Sequence, residues 1–280
     1  RNPAGRKKVA PEVDMVEWDA RTPGGWSGEL EEADAVVNLA GENIAGSGLV
    51  PDRWTEEKKE RILNSRLDAG NAVKKAFKAV DHEPEVLVQS SAVGYYGATG
   101  DRIVTEGSEP GEDFLAETAV QWEEVTEPLE GMGVRRVVIR TGLVLDTEGG
   151  AFPRLLLPFK YFVGGPLGDG QQYYSWIHIQ DEARAIRFLL ENEAASGPFN
   201  LTAPEPVTNE SFAKELGRVT GRPSVFKVPG FLIRALFGEA ATLVLDGQRA
   251  KPEALIEQGF EFRHPNLSGA LKELSRDDRG

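Results

Sequence analysis

Short apolar runs alternate with helical patterns along the first half of this chain, and this alternation constrains its fold more than any other feature. Runs typical of buried strands occupy residues 13–18, 35–40, 86–90 and 134–140. Between them, apolar residues recur at helical spacing over residues 55–79 and 114–127. Such alternation is typical of repeated βα units, which build a parallel sheet with helices on its faces. The sequence therefore predicts an α/β fold with a doubly wound parallel sheet.

The pattern loosens after residue 150. Pro153, Pro158 and the glycine-rich run 164–170 predict loops, because proline and glycine interrupt regular structure. Helical patterns return over residues 181–192 and 209–220. A chain of 280 residues, 40% of them hydrophobic, is long enough for one large domain or for a domain with a smaller lobe.

The composition argues against several classes of function. A formal net charge of −13 repels a phosphate backbone, so no nucleic acid partner is expected. The absence of cysteine excludes disulfides and thiolate metal sites, and three widely spaced histidines (His82, His178 and His264) predict no histidine-rich metal site. We find neither a signal peptide nor an apolar run of membrane-spanning length. We therefore expect a cytoplasmic protein without a metal or membrane partner, either a monomer or a homodimer.

Small and polar residues follow three of the predicted strands. They are the run Asn38–Gly41, the pair Ser90 and Ser91, and the run Arg140–Gly142. In doubly wound sheets, ligands bind outside the carboxyl ends of the strands, and small residues let a flat ligand approach the backbone closely. The alternative for Ala40 and Gly41 is an ordinary tight turn. Three such ends in succession nevertheless predict a ligand site along this edge.

Six sequence motifs resemble one branch of the extended short-chain dehydrogenase/reductase superfamily. They are Asn-Leu-Ala-Gly from residue 38, Ser-Ala-Val-Gly-Tyr-Tyr-Gly from 91, Arg-Thr-Gly-Leu-Val-Leu from 140, Gly-Gly-Pro-Leu-Gly-Asp-Gly-Gln-Gln from 164, Ser-Trp-Ile-His-Ile-Gln-Asp from 175 and Asn-Leu-Thr-Ala-Pro-Glu-Pro-Val-Thr-Asn from 200. The branch comprises NAD(P)-dependent epimerases/dehydratases similar to nucleoside-diphosphate-sugar epimerases. Residues 221–260 resemble the C-terminal domain of unknown function of the same family. The resemblance covers the whole chain and implies a Rossmann-like fold.

The resemblance also implies how the chain is divided. Residues 1–150 would form an NADP-binding Rossmann-like core, and residues 151–280 a smaller substrate-side lobe with the family's C-terminal region, from which 181–201 return to the core. Family members open with a strand, a glycine-rich turn, a helix and a second strand. That opening is not in the printed sequence. We therefore expect a preceding segment in the natural protein, without which the strand at 13–18 has no neighbour.

Several residues acquire cofactor roles from the resemblance. Arg1 would contact a 2′-phosphate, which favours NADP over NAD as the cofactor. Asp19 would lie near the adenine, or would simply close a turn after its strand. The remaining candidates line the ribose, the nicotinamide and the strand ends: Asn38, Leu39, Ala40, Gly41, Ser90, Arg140, Thr141 and Gly142.

The catalytic residues are less conventional. The superfamily uses a tyrosine with a lysine four residues later, which lowers the pKa of the phenol. None of the five tyrosines of this chain has a lysine at that spacing, and Leu115 and Ala119 occupy the expected positions. The candidates that remain are Ser91, Tyr95, Tyr96 and Glu117. The tyrosines could instead pack under the cofactor, and Glu117 could lie on a solvated helix face.

The substrate side offers Gly165, Gln171 and His178 as candidate contacts with a small-molecule substrate. Alternatives are a surface turn for the glycine-rich loop and a structural role for His178, while Asp181 is the expected cap of the following helix. Two functions follow from these residues. The first is an NADP-dependent oxidoreductase or epimerase-like enzyme acting on a small polar molecule such as a nucleotide sugar. The second is an NADP-binding sensor or scaffold without turnover.

Overall fold

A computed structural model gives the structure of residues 12–46, 48 and 51–277, with side chains described up to Ser275. The strands are β1 (Ala35–Asn38), β2 (Val86–Ala92), β3 (Ile103–Val104), β4 (Arg135–Thr141), β5 (Leu143–Leu145), β6 (Tyr173–Tyr174), β7 (Trp176–His178), β8 (Gly197–Leu201), β9 (Val207–Thr208) and β10 (Arg249–Ala250). The α-helices are α1 (Glu56–Phe77), α2 (Phe114–Glu124), α3 (Phe152–Lys160), α4 (Ile179–Glu191), α5 (Asn209–Thr220), α6 (Gly230–Phe237), α7 (Thr242–Leu245), α8 (Glu253–Glu257) and α9 (Leu267–Asp277). Short 3-10 helices span Gly24–Glu32, Val93–Tyr96, Glu127–Met132 and Gly238–Ala241.

The central sheet has four parallel strands in the order β1-β2-β4-β8. Parallel neighbours need crossover connections, and α1, α2 and α4 lie in the chain segments that join these strands. The carboxyl ends of β1, β2 and β4 therefore meet at one edge of the sheet. This edge is where the sequence predicted a ligand site.

Helices cover both faces of the sheet. On one face Val73 and Phe77 of α1 pack with Leu87 of β2 and with Leu129. On the other face, side chains of α4 and α8 pack with β2, β4 and β8 in a second core cluster: Ala185, Leu189, Leu255, Val88, Val137, Ile139 and Phe199. Burial on both faces explains the continuous apolar runs Val86–Val88 in β2 and Val137–Ile139 in β4. The predicted α/β, Rossmann-like doubly wound fold is confirmed.

A second group of elements follows residue 142. Strand β5 pairs with β7 in parallel, β6 pairs with β9 antiparallel, and helices α3, α5 and α9 share a third core cluster with them. The prediction of loops around Pro153 and Pro158 was wrong, since both lie in α3. Pro153 falls in the first turn of α3, where a missing N–H breaks no helical hydrogen bond.

Two other predictions differ from the structure. Residues 13–18 form no strand, and Val13, Met15 and Val16 are exposed. A strand needs a hydrogen-bonded neighbour, and none of the described strands lies beside this segment. Asp181 does not cap α4. The side chain of His178 caps it by accepting a hydrogen bond from the Gln180 N–H at 3.2 Å.

Among the described residues, we find no helix with the length and apolar character that crossing a lipid bilayer requires.

Candidate functional site

A buried ion pair between Arg140 and Glu123 lies beside the C-terminal end of β2. Ser91 and Arg140 are register partners on β2 and β4, so their side chains emerge on the same face of the sheet. Glu123, near the end of α2, faces both of them. The Arg140 Nε and Nη2 groups donate to the two carboxylate oxygens of Glu123 at 2.9 and 2.8 Å, and the Ser91 hydroxyl donates to Oε1 at 2.6 Å. Ser91, the predicted catalytic serine, is therefore held by a carboxylate.

Tyr96 extends this network toward β8. Its hydroxyl donates to Asn200 Oδ1 at 2.8 Å and accepts from Arg140 Nη1 at 3.1 Å. Arg140 Nη1 also donates to the backbone carbonyl of Glu106 at 3.1 Å. Burial raises the pKa of Tyr96 to about 12, so its phenol stays protonated at neutral pH.

Tyr95 lies on the other side of the same guanidinium. The Arg140 Cζ atom is 3.5 Å from the centre of the Tyr95 ring, a cation–π contact, and the two tyrosine rings meet edge to face. Tyr95 is half-buried, and loss of solvent raises its pKa. Neither phenol therefore gains the base character that a neighbouring lysine gives in the superfamily.

A second carboxyl approaches the strand ends from the opposite face. Thr141 is the register partner of Ala92, one residue beyond the Ser91–Arg140 pair, so its side chain points toward α4. The Thr141 hydroxyl donates to Glu182 Oε1 at 2.8 Å, and Glu182 Oε2 is buried without a hydrogen-bond partner among the described residues. Burial raises the pKa of Glu182 to about 7, which lets it change protonation near neutrality.

The backbone at the strand ends is tightly packed. A Cβ atom at Gly142 would lie 2.3 Å from the Ser175 carbonyl oxygen, so only glycine fits there. At the end of β1, the Asn38 side chain is buried, donating to Gln89 Oε1 at 3.0 Å and accepting from the Ala40 N–H at 3.2 Å. The next residue, Leu39, is 58% exposed. An apolar side chain is thus open to a ligand at this edge.

Arg66 of α1 lies against the turn that follows β1. A Cβ atom at Gly41 would be 3.3 Å from its Cζ atom, and its guanidinium also packs over the Trp122 ring at 4.6 Å. Its one described hydrogen bond goes to the Ile62 carbonyl of its own helix. Burial lowers the pKa of Arg66 to about 10. The group remains a cation at neutral pH.

Two predicted residues, Asp19 and Glu117, lie apart from this network. Arg1 falls outside the described residues. The Asp19 carboxylate accepts hydrogen bonds from Arg21 N, Thr22 N and Thr22 Oγ1, each within 2.9 Å, which favours the turn interpretation of this residue. Glu117 is exposed on α2, whose buried side consists of residues such as Ala116 and Ala119. The structure does not bring Glu117 to Ser91.

The predicted substrate residues are also separate from one another. Gly165 packs on the backbone of Phe226, which leaves no room for a side chain, whereas Gln171 is exposed in its loop. His178 is 1% exposed, and its ring stacks on His264 with centres 3.9 Å apart. No described hydrogen bond or ring contact joins these residues to the Ser91 network. Ser90 is half-buried beside the network, and its hydroxyl has no partner among the described side chains.

Glu273 approaches the stacked histidines. The three side chains offer nitrogen and oxygen atoms within 4.8 Å of one another, close enough to hold a metal ion. The sequence spacing of the histidines gave no sign of this contact. A histidine that binds a metal donates its other ring N–H to an acceptor. His178 Nδ1 instead accepts from the backbone N–H of Gln180, which is the wrong role for a ligand. The arrangement supports a structural contact between α4 and the C-terminal region.

Sequence reasoning missed three polar residues of the site: Glu123, Glu182 and Asn200. Helical spacing carried a signal for Glu123, because it lies four residues after Ala119 on the buried side of α2. Asn200 is the first residue of the motif Asn-Leu-Thr-Ala-Pro, which was noted only for its family resemblance. Glu182 carried no such signal, since acidic residues are common in the first turn of a helix.

Comparison with known proteins identifies the family. A domain of unknown function, DUF1731, matches residues 228–274. Over 250 residues the chain is 42% identical to the epimerase family protein YfhF of Bacillus subtilis. The matched region covers 89% of this chain and 80% of that protein. The chain belongs to this epimerase family. The resemblance inferred from the sequence motifs is thereby confirmed, including its C-terminal domain.

Two solved structures of the epimerase family and its relatives resemble this one. The human epimerase family protein SDR39U1, crystallised with NADPH, is 34% identical, with a TM-score of 0.83, and covers 90% of this chain and 86% of that one. The nucleoside-diphosphate sugar epimerase from Corynebacterium glutamicum is 33% identical, with a TM-score of 0.75, and covers 97% of this chain and 52% of that one.

Proposed function

We propose that this member of the epimerase family is an NADP-dependent oxidoreductase or epimerase-like enzyme that acts on a small polar substrate, with a nucleotide sugar as the candidate. The observation that carries the proposal is the Ser91–Glu123–Arg140–Tyr96 network, with Tyr95 packed against Arg140, which sets a serine and two phenols at the strand ends where doubly wound folds bind ligands. The human relative crystallised with NADPH supports the choice of cofactor.

The strand-end residues fit a nicotinamide dinucleotide. Leu39 offers an exposed apolar side chain, Gly41 leaves the backbone open, and Ser90 has a hydroxyl without a partner among the described residues. A flat ring or a ribose needs such a combination of apolar contact, close backbone approach and polar groups. The bound dinucleotide would supply or accept hydride, and the protein would orient it against the substrate. Arg1 would select the 2′-phosphate of NADP.

Proton movement would use groups other than a Tyr-x-x-x-Lys pair. Both phenols have raised pKa values and stay protonated at neutral pH, and the Glu123 carboxylate is already engaged by three hydrogen bonds from Arg140 and Ser91. Glu182 differs, because its pKa is about 7 and its carboxyl bonds the Thr141 hydroxyl at the end of β4. We assign proton exchange with the substrate to Glu182, acting through the Thr141 hydroxyl. Tyr95 would contribute a hydrogen bond from its protonated phenol.

The test is a measurement of NADPH and NADH binding by the purified protein, followed by turnover assays on nucleotide sugars and small carbonyl compounds. The proposal expects micromolar or tighter NADPH binding, turnover of at least one substrate, and loss of that turnover in Glu182→Gln. Failure to bind either dinucleotide would refute it. Arg1→Ala should remove most of the preference for NADPH over NADH, and equal affinities in the unaltered protein would refute the role of Arg1.

A second function is favoured by one observation: the phenols at the strand ends are held in their protonated form. A sensor or scaffold that binds NADP without turnover needs the cofactor edge but no base. It predicts tight NADPH binding with no consumption of NADPH on any substrate, and binding unchanged by Glu182→Gln. The two functions therefore separate on the same set of assays.

A further inference from the structure

The cation of Arg66 has no carboxylate of its own among the described residues. Arg66 is 8% exposed, and burying an unpaired charge is unfavourable unless another group compensates it. The charge of Glu42 reaches Arg66 and partly offsets the effect of burial on its pKa, but Glu42 makes no ion pair with it and already pairs with Lys58 at 2.7 Å and Arg61 at 3.4 Å. Arg61 has a second carboxylate partner in Glu57. The positive charge of Arg66 is thus left over.

The position of this charge matters because it lies at the ligand-binding edge of the sheet. Gly41 follows β1 and is exposed, and the Arg66 guanidinium packs directly against it, with Cζ only 3.3 Å from where a Cβ atom of residue 41 would lie. The guanidinium has five N–H donors, and one described bond, to the Ile62 carbonyl, uses only one of its nitrogens. The whole chain carries a net charge of −13, so an uncompensated cation here is an exception to its general character.

We propose that Arg66 is a positioning residue that binds the diphosphate bridge of the dinucleotide at the exposed turn that holds Gly41. This inference rests on the proposed function and adds to it a charged contact from α1. A guanidinium forks onto phosphate oxygens with two hydrogen bonds, and a diphosphate supplies the negative charge that the protein does not. The contact with Trp122 keeps the guanidinium in place before the ligand arrives.

The experiment compares the unaltered protein with Arg66→Met by titration calorimetry, using NADPH, NADH and ADP-ribose. All three contain the diphosphate, so each should bind about tenfold or more weakly to Arg66→Met, and by similar factors. The matched control is Lys75→Met, which removes one exposed positive charge from the same helix and should leave all three affinities unchanged.

Each other outcome is also decisive. Weakening of NADPH alone would show that Arg66 reads the 2′-phosphate and would overturn the proposal, as would unchanged affinities for all three ligands. If the unaltered protein binds none of the three, the proposed function itself fails. Melting temperatures of the ligand-free variants establish that they are folded. If Arg66→Met does not fold, Arg66→Gln takes its place, because glutamine keeps a donor for the Ile62 carbonyl without the charge.

Discussion

Arg140 holds Glu123 by two parallel hydrogen bonds, and both side chains are almost fully buried, at 5% and 13% exposure. Each of these buried charges is compensated only while its partner is also charged. Burial alone would lower the pKa of Arg140, but the hydrogen bonds and the charge of Glu123 outweigh that effect and raise it. The site is therefore built around a permanent ion pair.

Removing one partner of this pair should be costly. We expect Arg140→Met to lower the free energy of unfolding by about 3–5 kcal/mol, because Glu123 would remain as a buried, unpaired carboxylate. The double variant Arg140→Met/Glu123→Met should be more stable than Arg140→Met alone. Urea unfolding of the unaltered protein, Arg140→Met, Glu123→Met and the double variant measures this. A double variant whose loss equals the sum of two large single losses would contradict it.

The two neighbouring tyrosines should differ in their structural importance. Tyr96→Phe removes the hydroxyl that bonds Asn200 and Arg140, and leaving buried polar groups unsatisfied costs about 1–3 kcal/mol. Tyr95→Phe keeps its ring over Arg140, so its stability should stay close to that of the unaltered protein. Thermal unfolding compares the two variants. Equal losses of stability would show that the Tyr96 hydroxyl is not held as the structure has it.

Glu182 should make stability depend on pH in a definite direction. The pKa of Glu182 is about 7 in the folded chain, above the ordinary value of 4.5, so the folded state binds the proton more tightly. The protonated carboxyl therefore stabilises the fold. This stabilisation is complete below about pH 4.5 and is lost as pH rises through 7, a change of about 3 kcal/mol in the free energy of unfolding. Glu182→Gln should remove this dependence. Urea unfolding between pH 5 and pH 8 measures it, and parallel curves for both proteins would argue against it.

Gly142 should tolerate no side chain. Gly142→Ala places a methyl group 2.3 Å from the Ser175 carbonyl and 3.0 Å from the side chain of Thr202. Because the first neighbour is backbone, we expect a loss of several kcal/mol or failure to fold, in the range of severe packing defects. Gly107→Ala is the control, since no atom lies within 4 Å of the added methyl group. Expression level and melting temperature distinguish the two.

Sequence patterns predicted most of the core because burial on both faces of a parallel sheet leaves a direct signal. The runs at 35–40, 86–90 and 134–140 became β1, β2 and β4, and the helical spacing over 55–79 became α1. The run at 13–18 shows the limit of this signal. Alternation describes a strand's faces, whereas pairing depends on a neighbour that the pattern does not contain. Pro153 likewise lies in a helix because its position in the first turn, and not its identity, decides the outcome.

The candidate site was predictable only in part. Strand-end reasoning located Ser91, Arg140 and Thr141, since parallel strands bring their carboxyl ends together. It could not locate Glu123 or Glu182, which reach the site from helices on opposite faces. The shifted pKa values arise from burial, which a local sequence window does not reveal. The contact between His178 and His264 joins residues 86 positions apart and likewise has no local signal.

The Arg140 guanidinium joins separate parts of the chain. It contacts Glu123, Tyr96, the Glu106 carbonyl and the face of Tyr95, so three separate segments converge on a single side chain. The effects of substitutions at these positions on stability should then be non-additive. Once Arg140 is changed, further changes at Glu123 and Tyr96 should cause little additional loss of stability. Lineages that drift at this site are expected to exchange these residues as a set, so that covariation among them would trace the network through related sequences.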